Sequence, residues 1–228
     1  MTAPNPPPSA EERLPPTGLE HVAAVVPPIP KVGGHKAGQV FFWTASLAEI
    51  TVILANCNPT YALSQRLFRF LARDVSSPTH TELSTSVPFL FGWVLALTGA
   101  LIRQRCYRIL DTKFTFELSI RKDHHLVTHG PYAYVRHPSH TGAILAGSGA
   151  LLSVLAPGSW LRECSGLWPR DTPGMFAIFG VLVVGAAVAA RAVRGRMERE
   201  DQMLRVRFGD EWERWAKKVP WKLVPGVY

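Results

Sequence analysis

Residues Met175-Phe176-Ala177-Ile178-Phe179-Gly180-Val181-Leu182-Val183-Val184-Gly185-Ala186-Ala187-Val188-Ala189-Ala190 contain no charge and no hydrogen-bonding side chain. A helix that is apolar on every face belongs either in a large soluble core or in lipid. Three further stretches repeat the pattern, Val40 to Asn56, Val87 to Ile102 and Thr141 to Leu155. Each lies near the lower limit of the roughly 17–25 residues that span a bilayer. A soluble core would need amphipathic helices around all four, and the chain offers two. These are Tyr61 to Arg73, with Leu63, Leu67, Phe70 and Leu71 spaced for one face, and Arg191 to Trp215. Gly142, Gly147, Gly149, Gly180 and Gly185 are costly inside helices in water but suit close helix packing in lipid. The sequence therefore predicts an all-α fold, a multi-pass transmembrane helical bundle of about four spans with a polar loop and a C-terminal helix outside the lipid.

The rest of the 228 residues fits around those spans. Mean hydropathy is only +0.07, because a proline-rich start and a charged C-terminal region offset the apolar stretches. Nine of the 19 prolines fall in residues 1–39. This segment is predicted to be a disordered tail, leaving 40–228 as the membrane domain. Met1-Thr2-Ala3-Pro4 has no basic flank or apolar core, so it is not read as a signal peptide or a myristoylation site. The net charge of +8 invites nucleic acid, a membrane surface or an anionic substrate as partner. Its distribution favours the membrane. Twenty of the 25 Lys and Arg residues lie in 1–39, 103–139 and 191–228, and five in 57–86 and 156–174. By the positive-inside rule both termini are expected in the cytosol. Headgroup attraction then accounts for much of the charge, and no aromatic and basic nucleic-acid motif accompanies it. Cys57, Cys106 and Cys164 have no paired spacing and are expected to be inert, buried thiols. Glu49 is the one acidic residue inside a span, expected to pack near Thr44 or Thr51.

Chemistry-bearing residues concentrate between 124 and 142. Five of the eight histidines, His124, His125, His129, His137 and His140, lie there. Gly130-Pro131 and His137-Pro138 interrupt helical continuation, so a structured loop should enter the third span. Zinc is the first ligand such a cluster suggests, and His125 with His129 has one-face helical spacing. No HExxH motif or cysteine joins them, however, and Gly130-Pro131 ends the would-be helix, so no metal is expected. Ser139 lies in no nucleophile elbow. Tyr132 and Tyr134 also suit an interfacial aromatic belt.

A second polar motif follows the fourth span. Arg196 and Glu200 are four apart on one helix face. As an exposed ion pair they would contribute about 0.3–0.5 kcal/mol. Next to the histidine loop, the arginine could instead clamp a carboxylate, and Glu200 could hold a cationic or hydroxyl-bearing ligand.

Together, Phe114-Thr115-Phe116-Glu117-Leu118, His124 to Val127, Gly130-Pro131-Tyr132 and Arg136-His137-Pro138-Ser139, then Arg196, Glu200-Asp201, Phe208-Gly209 and Val219-Pro220, resemble the isoprenylcysteine carboxyl methyltransferases. The resemblance covers roughly residues 87–228. It implies an endoplasmic-reticulum membrane enzyme that moves a methyl group from S-adenosylmethionine to the α-carboxylate of a C-terminal prenylated cysteine. It assigns cofactor contacts to His124, His125, Leu126, Val127, Tyr132, His137, Pro138, Ser139, His140 and Glu200, with Glu117 as an upstream contact. Arg196 would be the catalytic residue facing the substrate carboxylate. Many relatives have Tyr after Pro-Ser, where this chain has His140. The implied chemistry suits the residues, since an ionised carboxylate attacking an activated methyl needs orientation and exclusion of water but no base and no metal. The alternatives are a phospholipid N-methyltransferase and a non-catalytic membrane relative of the family.

Overall fold

The computed structural model describes residues 33–72, 83–111, 125–169 and 171–228, with 33–39 given as backbone alone. Among these residues every regular element is helical: α1 (Gly33–Cys57), α2 (Ala62–Leu71), α3 (Val87–Leu110), a 3-10 turn (Gly130–Ala133), α4 (Pro138–Leu155), α5 (Trp160–Glu163), α6 (Thr172–Phe208) and α7 (Asp210–Lys218). Four stretches, Val40–Cys57, Val87–Leu110, Pro138–Glu163 and Thr172–Phe208, are long and apolar enough to cross a membrane. The chain is a membrane protein, with four such helices among the described residues. Helix α1 begins at Gly33, so the last seven residues of the expected tail are helical backbone. Residues 1–32 lie outside the described residues.

Helix α6 differs most from its expected extent. Its 37 residues reach about 55 Å, against about 30 Å of hydrocarbon. The apolar stretch 175–190 and the charged stretch from Arg191 are therefore parts of one continuous helix. A joint comes at Gly209, whose φ of +49° lies in the left-handed region that glycine adopts without strain. After it, α7 places Asp210, Glu211 and Glu213 in its first turn and Lys217 and Lys218 in its last. Both groups complement the helix dipole.

The described residues form two compact units. One draws on 98–111, 125–145 and 184–228, the other on 33–72, 83–97, 146–169 and 171–183. In the second unit Val52, Ala55, Phe68, Ala72 and Cys164 make a core, and the Trp160 indole N–H donates to the Leu71 carbonyl at 2.9 Å. Phe68 is the buried residue of α2. Leu63 and Phe70 are 67% and 68% exposed, so the buried face of this helix is rotated from the one its leucine spacing suggested. The hydroxyls of Thr44 and Thr51 bond back into their own helix. Glu49 instead accepts the backbone N–H of Trp160, the first residue of α5. Cys106 and Cys164 are buried as expected, while Cys57, at the end of α1, is exposed.

Close helix packing occurs at some of the glycines only. A Cβ at Gly149 would sit 2.4 Å from the Ala96 nitrogen and 2.5 Å from the Gly92 carbonyl oxygen. One at Gly142 would sit 2.8 Å from the Gly99 oxygen. Gly147, Gly180 and Gly185 face open space, and the apolar stretch of α6 buries none of its residues within the described chain. Among the described residues, its small residues meet no neighbouring helix at Gly180 and Gly185. Gly149→Val is expected to destabilise the detergent-solubilised protein by about 1–3 kcal/mol, read as a lowered midpoint in a thermal unfolding scan. Gly147→Val should leave the midpoint unchanged, and equal losses at both positions would contradict this packing.

Candidate active site

The first unit is built on Cys106, Leu126, Val127, Tyr132, Trp212, Trp215 and Val219, flanked by Ile102, Ile109, Leu204 and Phe208. This core joins α3, the histidine loop and α7. The loop enters it at Leu126 and Val127, then turns at Gly130, where φ is +63° and a Cβ would lie 2.5 Å from the Ile109 side chain. Only glycine fits both conditions. The Trp215 indole N–H donates to the Tyr132 carbonyl at 3.3 Å, tying α7 to the turn. Burial is the main reason the Tyr132 phenol is raised far above its ordinary range, with the neighbouring Cys106 acting in the same direction. Tyr132 is thus a neutral hydroxyl under all physiological conditions.

Beyond the turn, α4 starts at Pro138. Proline is suited to this first helical position because its missing N–H would have had no partner there. The preceding His137 carbonyl accepts the His140 amide at 3.0 Å and the Thr141 amide at 3.2 Å. Its own amide donates to the Lys222 carbonyl, and the Arg136 amide to the Trp221 carbonyl, both at 2.9 Å. The Thr141 hydroxyl adds a bond to the Leu223 carbonyl at 2.8 Å. Residues 220–223 thereby form a strap along the loop, held through their main-chain carbonyls. On the other side the Arg103 guanidinium donates to the Ser139 carbonyl at 3.1 Å and to the Tyr107 hydroxyl.

Helix α6 supplies two adjacent carboxylates to this loop. Glu200 Oε2 accepts from His140 Nε2 at 3.0 Å and His137 Nδ1 at 3.3 Å, and its Oε1 accepts from Arg196 Nε at 3.0 Å. Three donors on one carboxyl suit the ionised form and leave no room for a proton. Asp201 Oδ1 takes the other nitrogen of His137, Nε2, at 3.1 Å. Its Oδ2 takes Arg136 Nη1 at 3.0 Å, with Lys222 Nζ at 3.8 Å. Burial alone would lower His137, but the hydrogen bonds from its two nitrogens to Asp201 and Glu200 outweigh that and raise it above its ordinary value. The ring donates from both nitrogens in that state.

Of the residues singled out in the sequence, this arrangement brings together His137, Pro138, Ser139, His140, Arg196 and Glu200. Leu126, Val127 and Tyr132 are buried in the core beneath them. His125 is exposed. Glu117 and His124 lie outside the described residues. Asp201, Arg136, Arg103 and Lys222 complete the cluster and had no role assigned from sequence. Asp201 follows Glu200 directly, but its link to His137 arises from tertiary folding over 64 residues of chain. His137, His140 and Glu200 each offer a ligand atom within 4.8 Å of the others. Two imidazoles bonded to one carboxylate produce the same closeness without a cation.

The chain resembles known proteins in the same regions. Residues 92–158 match the model of the isoprenylcysteine carboxyl methyltransferase (ICMT) family. Protein-S-isoprenylcysteine O-methyltransferase B of Arabidopsis thaliana is 25% identical over 181 residues, 77% of this chain and 78% of that protein. Protein-S-isoprenylcysteine O-methyltransferase of Schizosaccharomyces pombe is 31% identical over 99 residues, 43% of this chain and 33% of that protein. A probable protein-S-isoprenylcysteine O-methyltransferase of Oryza sativa subsp. indica is 27% identical over 130 residues, 56% of each.

Because the folded-state titration of His137 is raised, its stabilising contribution is fully present below the unfolded value of about 6.5 and is lost as pH rises through the folded value. The difference in thermal midpoint between the wild type and His137→Asn should therefore be larger at about pH 6 than at about pH 9. A difference that stays constant or widens with pH would show that the ring is not held as a double donor.

Proposed function

We propose, from the premise that the chain belongs to the isoprenylcysteine carboxyl methyltransferase family, that it transfers a methyl group from S-adenosylmethionine to the free α-carboxylate of a C-terminal prenylated cysteine, forming a methyl ester. The observation that carries this reading is the convergence in one compact unit of Arg196 and Glu200 with the loop Arg136-His137-Pro138-Ser139-His140. The relatives' names favour a carboxylate acceptor over the phospholipid amine of the alternative reading. His140, the departure from the family's usual tyrosine, retains a polar contact to Glu200, which speaks against a decayed site.

The donor set suits the cofactor. A ligand that carries an ammonium and ribose hydroxyls needs an ionised acceptor with imidazole neighbours, and Glu200, His137 and His140 supply them. When bound, the cofactor supplies a methyl group already activated on a sulfonium, so an ionised carboxylate can accept it without a base or a metal. The protein's part is positioning. Arg196 is oriented by Glu200 through Nε, and its planar fork suits a carboxylate in a fixed direction. The strap at 220–223 and the core beneath the loop hold the cofactor side rigid, which is what an effectively unimolecular transfer requires. A prenyl chain is apolar and would come from the lipid, between spans, while the cofactor would come from water. The excess of Lys and Arg in the stretches flanking the site favours the cytosolic side, with the endoplasmic-reticulum membrane as the location. Leu126, Val127, Tyr132, Pro138 and Ser139 shape the cofactor side on this reading, with His124, His125 and Glu117 as further contacts that only the family resemblance supports.

The protein purified in detergent, given labelled S-adenosylmethionine and acetyl-farnesylcysteine, should form a base-labile methyl ester. Absence of product from the wild type would overturn the reading. Arg196→Ala should lower kcat/KM for the acceptor about a hundredfold, with Arg196→Lys recovering only part of it. Glu200→Ala should weaken S-adenosylhomocysteine binding more than acceptor binding, and the reverse order in separate titrations would exchange the two roles.

A further inference from the structure

Asp201 is buried and lies at the centre of the cluster, yet among the described residues it contacts none of the other groups assigned to cofactor or acceptor except His137. Its two oxygens divide the work. Oδ2 is occupied by Arg136 at 3.0 Å and faces Lys222 at 3.8 Å, while Oδ1 faces the His137 Nε2 at 3.1 Å. Arg136 is itself fixed twice more, through Nη2 to the Pro220 carbonyl at 3.0 Å and with its guanidinium carbon 5.9 Å from the Trp212 ring centre. The Asp201 carboxylate therefore cannot turn away from His137 without breaking an ion pair that the strap and α7 also support. A histidine pinned at one nitrogen by a carboxylate presents the other nitrogen in a fixed direction and a fixed protonation, the logic by which buried acids orient catalytic and metal-binding imidazoles. Here the other nitrogen, Nδ1, points at Glu200 Oε2.

From this geometry we infer that Asp201 is a positioning residue for the cofactor site, setting the orientation of Glu200 through His137. The inference rests on the methyltransferase reading above and adds to it a residue that touches neither substrate. The groups facing His137 are Glu200 and Asp201 from α6 and His140 from α4, with ring centres 5.8 Å apart. Arg136 and Lys222 face it through Asp201, and Arg196 through Glu200. The net effect of the two carboxylates is to keep the ring doubly protonated, in agreement with its raised titration. Without Asp201 the ring is free to lose its proton or rotate, and Glu200 then loses one of its three donors.

A double-mutant cycle separates this role from a merely structural one. S-adenosylhomocysteine is titrated calorimetrically into the full chain in detergent, for the wild type, Asp201→Asn, His137→Asn and the double variant. Asp201→Asn should weaken binding about tenfold in the wild-type background and less than about twofold once His137 is already replaced. Losses that multiply in the double variant would overturn the inference, since Asp201 would then act independently of the ring. Should Asp201→Asn fail to fold, the unaltered protein still provides a test. Its affinity for S-adenosylhomocysteine should fall as pH is raised from about 6 to about 9, and a flat profile would overturn the proposal. A wild type that does not bind S-adenosylhomocysteine at any pH would remove the methyltransferase reading and this inference together. Binding with independent losses would remove this inference alone.

Discussion

His137 lies between two neighbouring carboxylates of a single helix, with Asp201 at 3.1 Å from one ring nitrogen and Glu200 at 3.3 Å from the other. Successive residues of an α-helix point about 100° apart, so Glu200 and Asp201 cannot both face one flat surface. The ring fits because it has two donors in different directions. Around it, the charges of Arg136, Lys222 and Arg196 offset the two acids. A buried carboxylate without such partners would be several kcal/mol out of balance. The cluster is therefore a unit whose members depend on one another, and it fixes the histidine loop against α6.

The long helix gives that unit its place. Helix α6 runs unbroken from Thr172 to Phe208, so the apolar stretch and the turns that carry Arg196, Glu200 and Asp201 belong to one continuous helix. A joint at the water boundary would have separated the two. Beyond the joint at Gly209, Trp212 and Trp215 of α7 pack into the same core as Leu126, Val127 and Tyr132. An enzyme that joins a lipid-borne acceptor to a water-borne cofactor needs such a fixed relation between its apolar and polar parts, and on the proposed reading α6 provides it.

Much of this is visible in the sequence because the decisive signals are local. Uninterrupted apolar runs of about one bilayer's length declare the spans, and Arg196 with Glu200 declares a helix face. The histidine-rich loop stands out by composition, and Pro138 marks the start of α4. What is not visible is tertiary in origin. The strap at 220–223 is held largely by backbone groups, which every residue carries and which leave no mark in composition. Asp201 looks like a second exposed acid until the fold brings Arg136 and His137 to it. The face of α2 is only partly legible: of the stripe Leu63, Leu67, Phe70 and Leu71, Leu71 packs against the second core beside the buried Phe68, while Leu63 and Phe70 are exposed. Glycine content pointed correctly to Gly142 and Gly149, but could not distinguish them from Gly180 and Gly185, which lie against no neighbour.

The most direct measurement of the central claim is an experimental structure of the protein with S-adenosylhomocysteine bound. The ligand should lie against His137, His140 and Glu200, with Asp201 still joined to His137 and Arg136. Ligand density away from this loop and helix, or a His137 ring turned from both carboxylates, would contradict it.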